Sequence, residues 1–248
     1  MTNFVEKAAR YYRMKGGIAL LKRALPYFYD RMIRPHLPRF TATYNNTQVK
    51  VNHLGDSFLP WHPVDKPGYE SALVEGLQSR VREGDHVVVV GGGYGVTAVN
   101  AARQVGEDGR VTVYEAAERL IDAIEETLEL NDVTDRVDVH HALVGPSVEV
   151  LGDSTTAVHL SPEDLPECDV LELDCEGAEI DILSNLQIRP RVILVESHGE
   201  FDAPTDEVAS LLEDLSYSVE SQEVADEWVR EKCIENDVYV LTGVRDKA

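Results

Sequence analysis

The chain has 248 residues, 43% of them hydrophobic, which is enough for one sizeable domain with its own core and an appendage. Its 45 acidic residues outnumber 23 basic ones, and the net charge of −22 argues against a main body that grips nucleic acid. Three cysteines without metal-ligand spacing argue against a disulfide framework, and no apolar run approaches the roughly 18 residues of a membrane span, so we expect a cytoplasmic protein.

The charge is unevenly distributed along the chain. Residues 1–40 contain nine basic and two acidic residues, whereas residues 41–248 contain fourteen basic and forty-three acidic ones. An acidic surface with seven Lys against sixteen Arg is typical of halophilic proteins, whose solvated carboxylates keep the fold soluble in salt. An acidic mesophilic enzyme is the alternative.

The first predicted element is a basic amphipathic helical segment. Apolar residues recur at helical spacing over residues 3–34, with an interruption at Gly16-Gly17, and Pro35 and Pro38 end the segment. Such a segment is suited to lie on the surface of an anionic membrane, which residues 1–38 would then contact peripherally. The alternative is that it packs on the acidic main domain of the same chain. In molar salt the Debye length is about 3 Å, so the apolar face would have to hold a membrane.

A hairpin and a Pro-rich loop follow, and then strands alternate with helices. The hairpin is predicted over Thr41–Tyr44 and Gln48–His53 around an Asn45-Asn46 turn. Seven further strands are predicted at His86–Val90, Arg110–Tyr114, Val137–His141, Val170–Leu173, Arg191–Val195, Tyr217–Gln222 and Val238–Thr242. Helices are predicted at Tyr69–Val81, Gly95–Val105, Ala117–Leu130, Ala178–Leu183 and Thr205–Leu215. We therefore expect an α/β fold, with domains over residues 1–40, 41–67 and 68–248.

Three finer predictions concern the second half of the chain. A small hairpin is expected from Val148–Leu151 and Ala157–Leu160. Ser161 is expected to cap a short helix with Pro162 in its first turn. No convincing crossover helix separates the last two strands, which favours an antiparallel edge pair.

A glycine-rich loop follows the first strand of the alternating region. Gly91, Gly93 and Gly95 stand between four valines and a helix, and glycine lets the chain turn tightly and a ligand approach the backbone. Glu115 ends the next strand, twenty residues after Gly95, where a carboxylate can accept both hydroxyls of a ribose. The loop also fits the dinucleotide fingerprint, so by itself it leaves a nicotinamide cofactor open.

Acidic residues mark the ends of two later strands. Asp174, Cys175, Glu176 and Gly177 follow an apolar run, and Glu196-Ser197-His198 ends the next strand. Ligands of open parallel sheets bind at this edge. The sequence therefore predicts acidic chemistry beside a backbone-held cofactor.

The order of these motifs resembles the FkbM-type methyltransferases of class I, which depend on S-adenosylmethionine. The motifs cover about residues 68–245, and residues 1–67 are expected to lie outside the shared core. The resemblance implies a Rossmann-like, seven-stranded, mostly parallel sheet with helices on both faces and a reversed last strand. It also implies methylation, usually at the oxygen of a glycan or another small molecule.

The resemblance also implies site residues and one departure. Gly91, Gly93 and Gly95 would contact the amino-acid end of S-adenosylmethionine, Glu115 the ribose, and Ala142 and Leu143 the adenine. Asp174 would face the methionine portion and the reacting methyl. Many class I enzymes have an acidic residue two positions before the first glycine, where this chain has Val89. The contact to the cofactor's amino group must then come from elsewhere, with Asp174 and Glu70 as candidates.

Methyl transfer from a sulfonium is an in-line displacement, and an alcohol acceptor also needs a base. The candidates are His198, Asp174, Glu176 and Glu196, and His198 is favoured because imidazole titrates near neutrality. The alternative for His198 is that it orients a loop or binds substrate, and a carboxylate acceptor would need no base.

Other polar residues in this region are assigned simpler roles. Glu179 is expected to form an ion pair on a helix or to be solvated, and Cys175 to be a small packed residue. No metal is expected, because His140 and His141, adjacent on a strand, point to opposite faces. His53, Trp61 and His62 either cover the acceptor pocket or pack.

The favoured function is O-methylation of a saccharide, glycan or other small metabolite, with a lipid-linked acceptor possible through the N-terminal segment. The alternatives are an RNA or protein methyltransferase on the same fold, a nicotinamide oxidoreductase and a non-catalytic cofactor-binding protein. An acidic main domain disfavours nucleic acid as a partner.

Overall fold

The computed structural model describes residues 36–37, 39–52, 65–145 and 157–245. Almost all of them belong to one compact unit, Thr41–Lys50 with Asp65–Ala248, while a second unit comprises Met1–Phe40 and Val51–Val64. Within the described ranges no helix is both long and apolar enough to cross a membrane. The predicted helical segment over 3–34, the residues His53, Trp61 and His62, and the predicted strand Val148–Leu151 lie outside the described residues.

The first described elements form the predicted two-stranded hairpin. Strand β1 spans Arg39–Tyr44 and strand β2 spans Thr47–Asn52. Asn45 and Asn46 between them have φ angles of 41° and 62°. Asparagine tolerates this left-handed backbone, and two consecutive residues with positive φ suit the tight turn of a hairpin. The prediction of an Asn-Asn turn is confirmed.

Among the described residues the main sheet has eight strands, and seven of them are the predicted ones. They are β3 (His86–Val90), β4 (Arg110–Glu115), β5 (Val137–Val144), β6 (Val158–Leu160), β7 (Val170–Leu173), β8 (Val192–His198), β9 (Tyr217–Val224) and β10 (Val238–Arg245). Their order across the sheet is β6-β5-β4-β3-β7-β8-β10-β9. Strand β10 is antiparallel to both neighbours, and the other pairs are parallel. The mostly parallel sheet with a reversed last strand is confirmed.

Six helices accompany the sheet within the described ranges. They are α1 (Ser71–Arg80), α2 (Val96–Val105), α3 (Glu118–Leu130), α4 (Glu179–Asn185), α5 (Thr205–Asp214) and α6 (Arg230–Glu235). Side chains of a strand alternate between faces, so Val87 and Val89 pack in one buried cluster with α1, α2 and α3. Val88 and Val90 pack in a second cluster with α4 and α5. The unbroken valine run of β3 is buried because helices cover both faces.

Two local predictions are corrected and a third is confirmed. Residues Val158–Leu160 pair parallel with the end of β5, so they form an eighth strand, and β5 continues to Val144 because this edge gives it a partner. Ser161 stands at the N-cap of a 3-10 helix, Pro162–Asp164, but its side chain makes no capping hydrogen bond. The last two strands pair antiparallel at the sheet edge, as predicted, and the short helix α6 between them is not a crossover between parallel strands.

The sheet order brings two distant loops together. The chain runs outward from β3 through β4 and β5 on one side, then returns to β7 and β8 on the other. The backbone N–H of Asp174, after β7, donates to the carbonyl of Val90 at 2.9 Å, where the glycine loop begins. This reversal of strand order is where open α/β sheets bind ligands.

Candidate functional site

The glycine loop has a backbone that only glycine adopts easily. Gly91, Gly93 and Gly95 have φ angles of 96°, 51° and 81°. Gly95 is the N-cap residue of α2, and its N–H donates to the carbonyl of Gly92 at 2.7 Å. The loop therefore turns sharply from β3 into α2, as a cofactor loop must.

The glycines of this loop differ in what limits them. A Cβ at Gly91 would lie 1.8 Å from the carbonyl oxygen of Asp174, so the contact between the two loops requires glycine there. Among the described residues, a Cβ at Gly93 would meet only Glu70 Oε1, at 3.5 Å. Gly91 thus serves the fold, whereas Gly93 faces space that a ligand can fill.

Glu115 anchors the glycine loop in addition to any contact with a ribose. Its Oε2 accepts from the N–H groups of Gly92 and Gly93 at 3.0 and 3.2 Å, and its Oε1 accepts from that of Ala117 at 2.7 Å. The side chain is almost fully buried at the end of β4. The sequence alone gave no reason to expect this second role.

We expect Glu115→Gln to lower the free energy of unfolding and cofactor affinity, each by about 1–3 kcal/mol, because an amide N–H₂ cannot accept from the loop or the ribose. Denaturant unfolding and calorimetric titration measure both, with Glu125→Gln on the exposed face of α3 as the control. An analogue without ribose hydroxyls separates the roles. If Glu115→Gln prefers the cofactor over this analogue by as much as the wild type does, Glu115 makes no contact with the ribose hydroxyls and only holds the loop.

Strands β7 and β8 bring three predicted site residues together. Asp174 directly follows β7, while Glu196 and His198 lie two apart on β8 and so share a face. His198 Nε2 lies 3.5 Å from Asp174 Oδ1 and 3.5 Å from Glu196 Oε1. Two carboxylates and an imidazole thus meet beside the glycine loop.

A fourth residue, Glu179, completes the surroundings of His198. Its Oε1 lies 2.9 Å from His198 Nδ1, and its two oxygens also accept from the N–H groups of Cys175 and Gly177 at 2.9 and 2.8 Å. Glu179 is fully buried in the first turn of α4, so its expected ion pair is present, but the alternative of a solvated carboxylate is wrong.

The protonation of His198 differs from the sequence expectation. Burial alone would lower its pKa, but hydrogen bonds to Glu179 and Glu196 and the charge of Asp174 raise the pKa to about 11. The imidazole is therefore held protonated near neutrality, and the reason for favouring it as the base does not hold in this arrangement. The pKa of Asp174 is raised well above its usual range by burial and by Glu196, while His198 lowers it.

Two further carboxylates belong to this region and were not assigned a firm role from the sequence. Glu172 is fully buried on β7, where it pairs in register with Val89 of β3. Many class I enzymes have an acidic residue at the position of Val89, so Glu172 places a carboxyl group next to that position. Glu70 precedes α1, and burial and the charges of Glu172 and Glu196 raise its pKa well above the usual range. The signal for Glu172 was a charged residue inside the apolar strand Val170–Leu173.

Glu172 makes stability depend on pH. Burial raises its pKa from the ordinary 4.5 to about 8, with Thr97 lowering it and Glu196 raising it further. The folded state therefore binds this proton more tightly than the unfolded state, and stability falls as the pH rises from about 4.5 through about 8.

We expect Glu172→Gln to abolish this fall in stability with rising pH. At the alkaline end of the pH range the variant should therefore be more stable than the wild type by about 1–4 kcal/mol. The prediction is checked by measuring the free energy of unfolding of both proteins from about pH 5 to about pH 9 at constant salt. Glu213→Gln, on an exposed position of α5, is the control. Parallel pH profiles of wild type and Glu172→Gln would show that another group compensates the buried charge.

The remaining predicted residues lie at the same edge but make separate contributions. Ala142 and Leu143 follow the residue of β5 that pairs with Glu115, so they lie next to the predicted ribose position. Glu176 is exposed, has a φ of 50°, and is not among the three clustered donors Asp174, Glu196 and His198.

The thiol and the histidine pair have the simple roles expected of them. Burial raises the pKa of the Cys175 thiol well above its usual range, and its Sγ donates to the carbonyl of Val90 at 3.4 Å. His140 stacks on Tyr114 with ring centroids 5.3 Å apart, while His141 Nε2 lies 3.1 Å from the carbonyl of Ala116. The two rings have different partners and do not act as a pair.

Solved structures share this architecture. The tRNA m1G37 methyltransferase of M. jannaschii matches with a TM-score of 0.54 and 12% identity over 86% of this chain and 58% of that chain. Precorrin-6y C5,15-methyltransferase of Geobacter metallireducens matches at 0.49 and 17% over 71% and 88%. Fibrillarin of Aeropyrum pernix, solved with S-adenosyl-L-methionine bound, matches at 0.48 and 16% over 85% and 86%. At 12% identity the likeness to the tRNA methyltransferase shows the fold alone.

Family comparison is more specific, although no curated protein matches the sequence. Residues 2–219 match the methyltransferase FkbM domain. The match begins at residue 2, which corrects the expectation that residues 1–67 lie outside the shared region. The open space at Gly93 and the carboxylates Glu115 and Glu70 around it fit S-adenosylmethionine, the cofactor of this family. The chain belongs to the FkbM family of S-adenosylmethionine-dependent methyltransferases.

Proposed function

We propose that the enzyme methylates a hydroxyl oxygen of a neutral, polyhydroxylated acceptor, a saccharide or a related small metabolite. The observation that supports this most is the pair of partly exposed carboxylates, Asp174 and Glu196, beside the cofactor loop. Carboxylates accept hydrogen bonds from hydroxyl groups, so this edge suits an acceptor rich in them.

The residues present can meet the two demands of transfer to an alcohol. The acceptor oxygen must lie about 3–3.5 Å from the methyl carbon, in line with the breaking bond, and its proton needs a base. In this proposal Asp174 is the base, because its raised pKa brings its basicity closer to neutrality. His198, held protonated by three carboxylates, orients Asp174 and Glu196.

The charge of the region favours a neutral acceptor over an anionic one. The imidazole of His198 is surrounded by three carboxylates, those of Asp174, Glu179 and Glu196. Two further carboxyl groups are close to them. The charge of Glu196 raises the pKa of both Glu70 and Glu172, and the charge of Glu172 also raises that of Glu70. A carboxylate or phosphate acceptor would be repelled at this short range. The same argument disfavours RNA, whose backbone needs clustered positive charge.

Labelled methyl transfer tests this proposal. The full chain with S-adenosylmethionine is offered neutral oligosaccharides, matched uronic-acid oligosaccharides and RNA, at the salt that gives the most stable protein. We expect label in an ether of the neutral acceptors only. Label found in a carboxylate ester or in RNA would contradict the proposal.

We also propose that residues 1–38 hold the enzyme at an anionic membrane face or a lipid-linked acceptor, on the basis of their composition. Because the family match includes this segment, the test keeps the full chain and replaces Leu21 and Leu25, on its predicted apolar face, by Ser. Cosedimentation with anionic vesicles should be lost and cofactor affinity kept. Wild-type protein that never sediments with vesicles contradicts this proposal.

A further inference from the structure

The geometry points to a divalent-cation site formed by Asp174, Glu196 and His198, with Glu179 orienting the histidine. The role of this cation, holding the acceptor oxygen, rests on the proposed transfer to a hydroxyl, whereas its binding does not. The sequence had given no reason to expect a metal, because neither His140–His141 nor the cysteine spacing resembles a ligand set.

The three donor atoms have the separation that a shared ion requires. One donor atom from each residue lies within 4.8 Å of the other two, and Nε2 is 3.5 Å from each carboxylate oxygen. Ligands at right angles around an ion with bonds of about 2.2 Å are about 3.1 Å apart. Each distance from Nε2 need shorten by only a few tenths of an ångström to reach this value. The two carboxylate oxygens, at most 4.8 Å apart, are near the limit of about 4.4 Å for ligands on opposite sides of such an ion.

Glu179 gives His198 the orientation and tautomer of a ligand. A metal-binding histidine commonly donates its second ring N–H to a carboxylate, which fixes the ring and leaves the other nitrogen free to bind. Here Nδ1 lies 2.9 Å from Glu179 Oε1, and two backbone N–H groups hold that carboxylate in place. Nε2 is the nitrogen that faces Asp174 and Glu196, and an ion bound there would displace the proton that the three carboxylates hold on His198.

A separate observation concerns the buried carboxyl group of Glu172 beside these three residues. Glu172 is fully buried, and neither of its oxygens has a hydrogen-bond partner of normal geometry among the described residues. It lies on the face of β7 that Asp174 continues, and its cross-strand neighbour Leu194 is two residues before Glu196. Ionising a carboxyl group in this buried position is costly, and a nearby divalent ion would offset that cost.

The donor set indicates the class of ion and its role. Two carboxylates and one imidazole suit Mg²⁺ or Mn²⁺ and borderline ions, and three protein ligands leave positions open. The ion would hold the acceptor hydroxyl and make it more acidic. The oxygen–methyl bond then forms as the sulfur–methyl bond breaks, S-adenosylhomocysteine leaves, and the hydroxyl proton passes to the second oxygen of Asp174.

Manganese is the probe, and the full chain is stripped with a chelator before titration. Electron paramagnetic resonance of free Mn²⁺ should show one site per chain, well separated from the weak binding expected of so acidic a protein. Asp174→Asn, Glu196→Gln and His198→Asn should each weaken that site at least about tenfold. His159→Asn, an exposed histidine on β6, is the matched control and should leave it unchanged.

A measurement on the wild type covers variants that fail to fold. Bound Mn²⁺ should strongly broaden the S-methyl proton resonance of bound S-adenosylmethionine, and absence of broadening overturns the proposal. Three other results would also overturn it: no saturable Mn²⁺ site, a site that survives all three substitutions, or methyl transfer that chelation leaves unchanged. If the site is present but no hydroxyl acceptor is methylated, the proposed function fails and the cation site stands.

Discussion

Gly93→Val should abolish binding of S-adenosylmethionine, with a loss of affinity of more than about a hundredfold. A valine at this position puts three methyl-sized groups into the space that faces the loop, where Glu70 Oε1 is the only neighbour among the residues that the structure describes. It must also adopt a φ near 51°, which costs a β-branched residue about 1–3 kcal/mol. Calorimetric titration with the cofactor measures the loss.

Gly84→Val separates the two contributions. Gly84 has a φ of 82° and a Cβ there would also meet open space, but it lies in the turn before β3, away from the loop. This variant should lose stability similarly and bind the cofactor as tightly as the wild type. If Gly93→Val keeps the wild-type affinity, or if both variants lose affinity equally, the assignment of this loop as the cofactor-binding loop is wrong.

Asp174→Asn should lower the rate of methyl transfer at saturating cofactor by about 10²–10⁴, the range for loss of a positioned base. The change is nearly isosteric, and the backbone bond from Asp174 to Val90 that joins the two loops is untouched. Single-turnover transfer measures the chemical step apart from cofactor binding, to which Asp174 is also predicted to contribute.

The control for this prediction is Asp206→Asn, the same change on an exposed position of α5. It should leave the rate unchanged. If Asp174→Asn transfers methyl groups at the wild-type rate, neither the base nor the proposed cation ligand is at Asp174. If His198 rather than Asp174 were the base, the wild-type rate would rise only towards a pH near 11.

Much of the fold followed from the sequence. Short apolar runs alternating with helical patterns determine a parallel sheet covered on both faces, because each strand and helix must bury one side locally. Glycines at Gly91, Gly93 and Gly95 marked the loop for the same local reason, since few other residues adopt its backbone. Position at strand ends was enough to bring Asp174 and His198 to one edge.

What the sequence did not contain was the distance between side chains from different strands. The raised pKa of His198 depends on Glu179, nineteen residues earlier, and on carboxylates from two strand ends that meet only in the sheet. Edge pairing similarly extended β5, because a strand end is decided by a partner distant in sequence. Local pattern thus determined the elements and the cofactor loop, while tertiary contacts decided protonation, the buried charge of Glu172 and the three-residue donor set, since electrostatic effects depend on distance and burial.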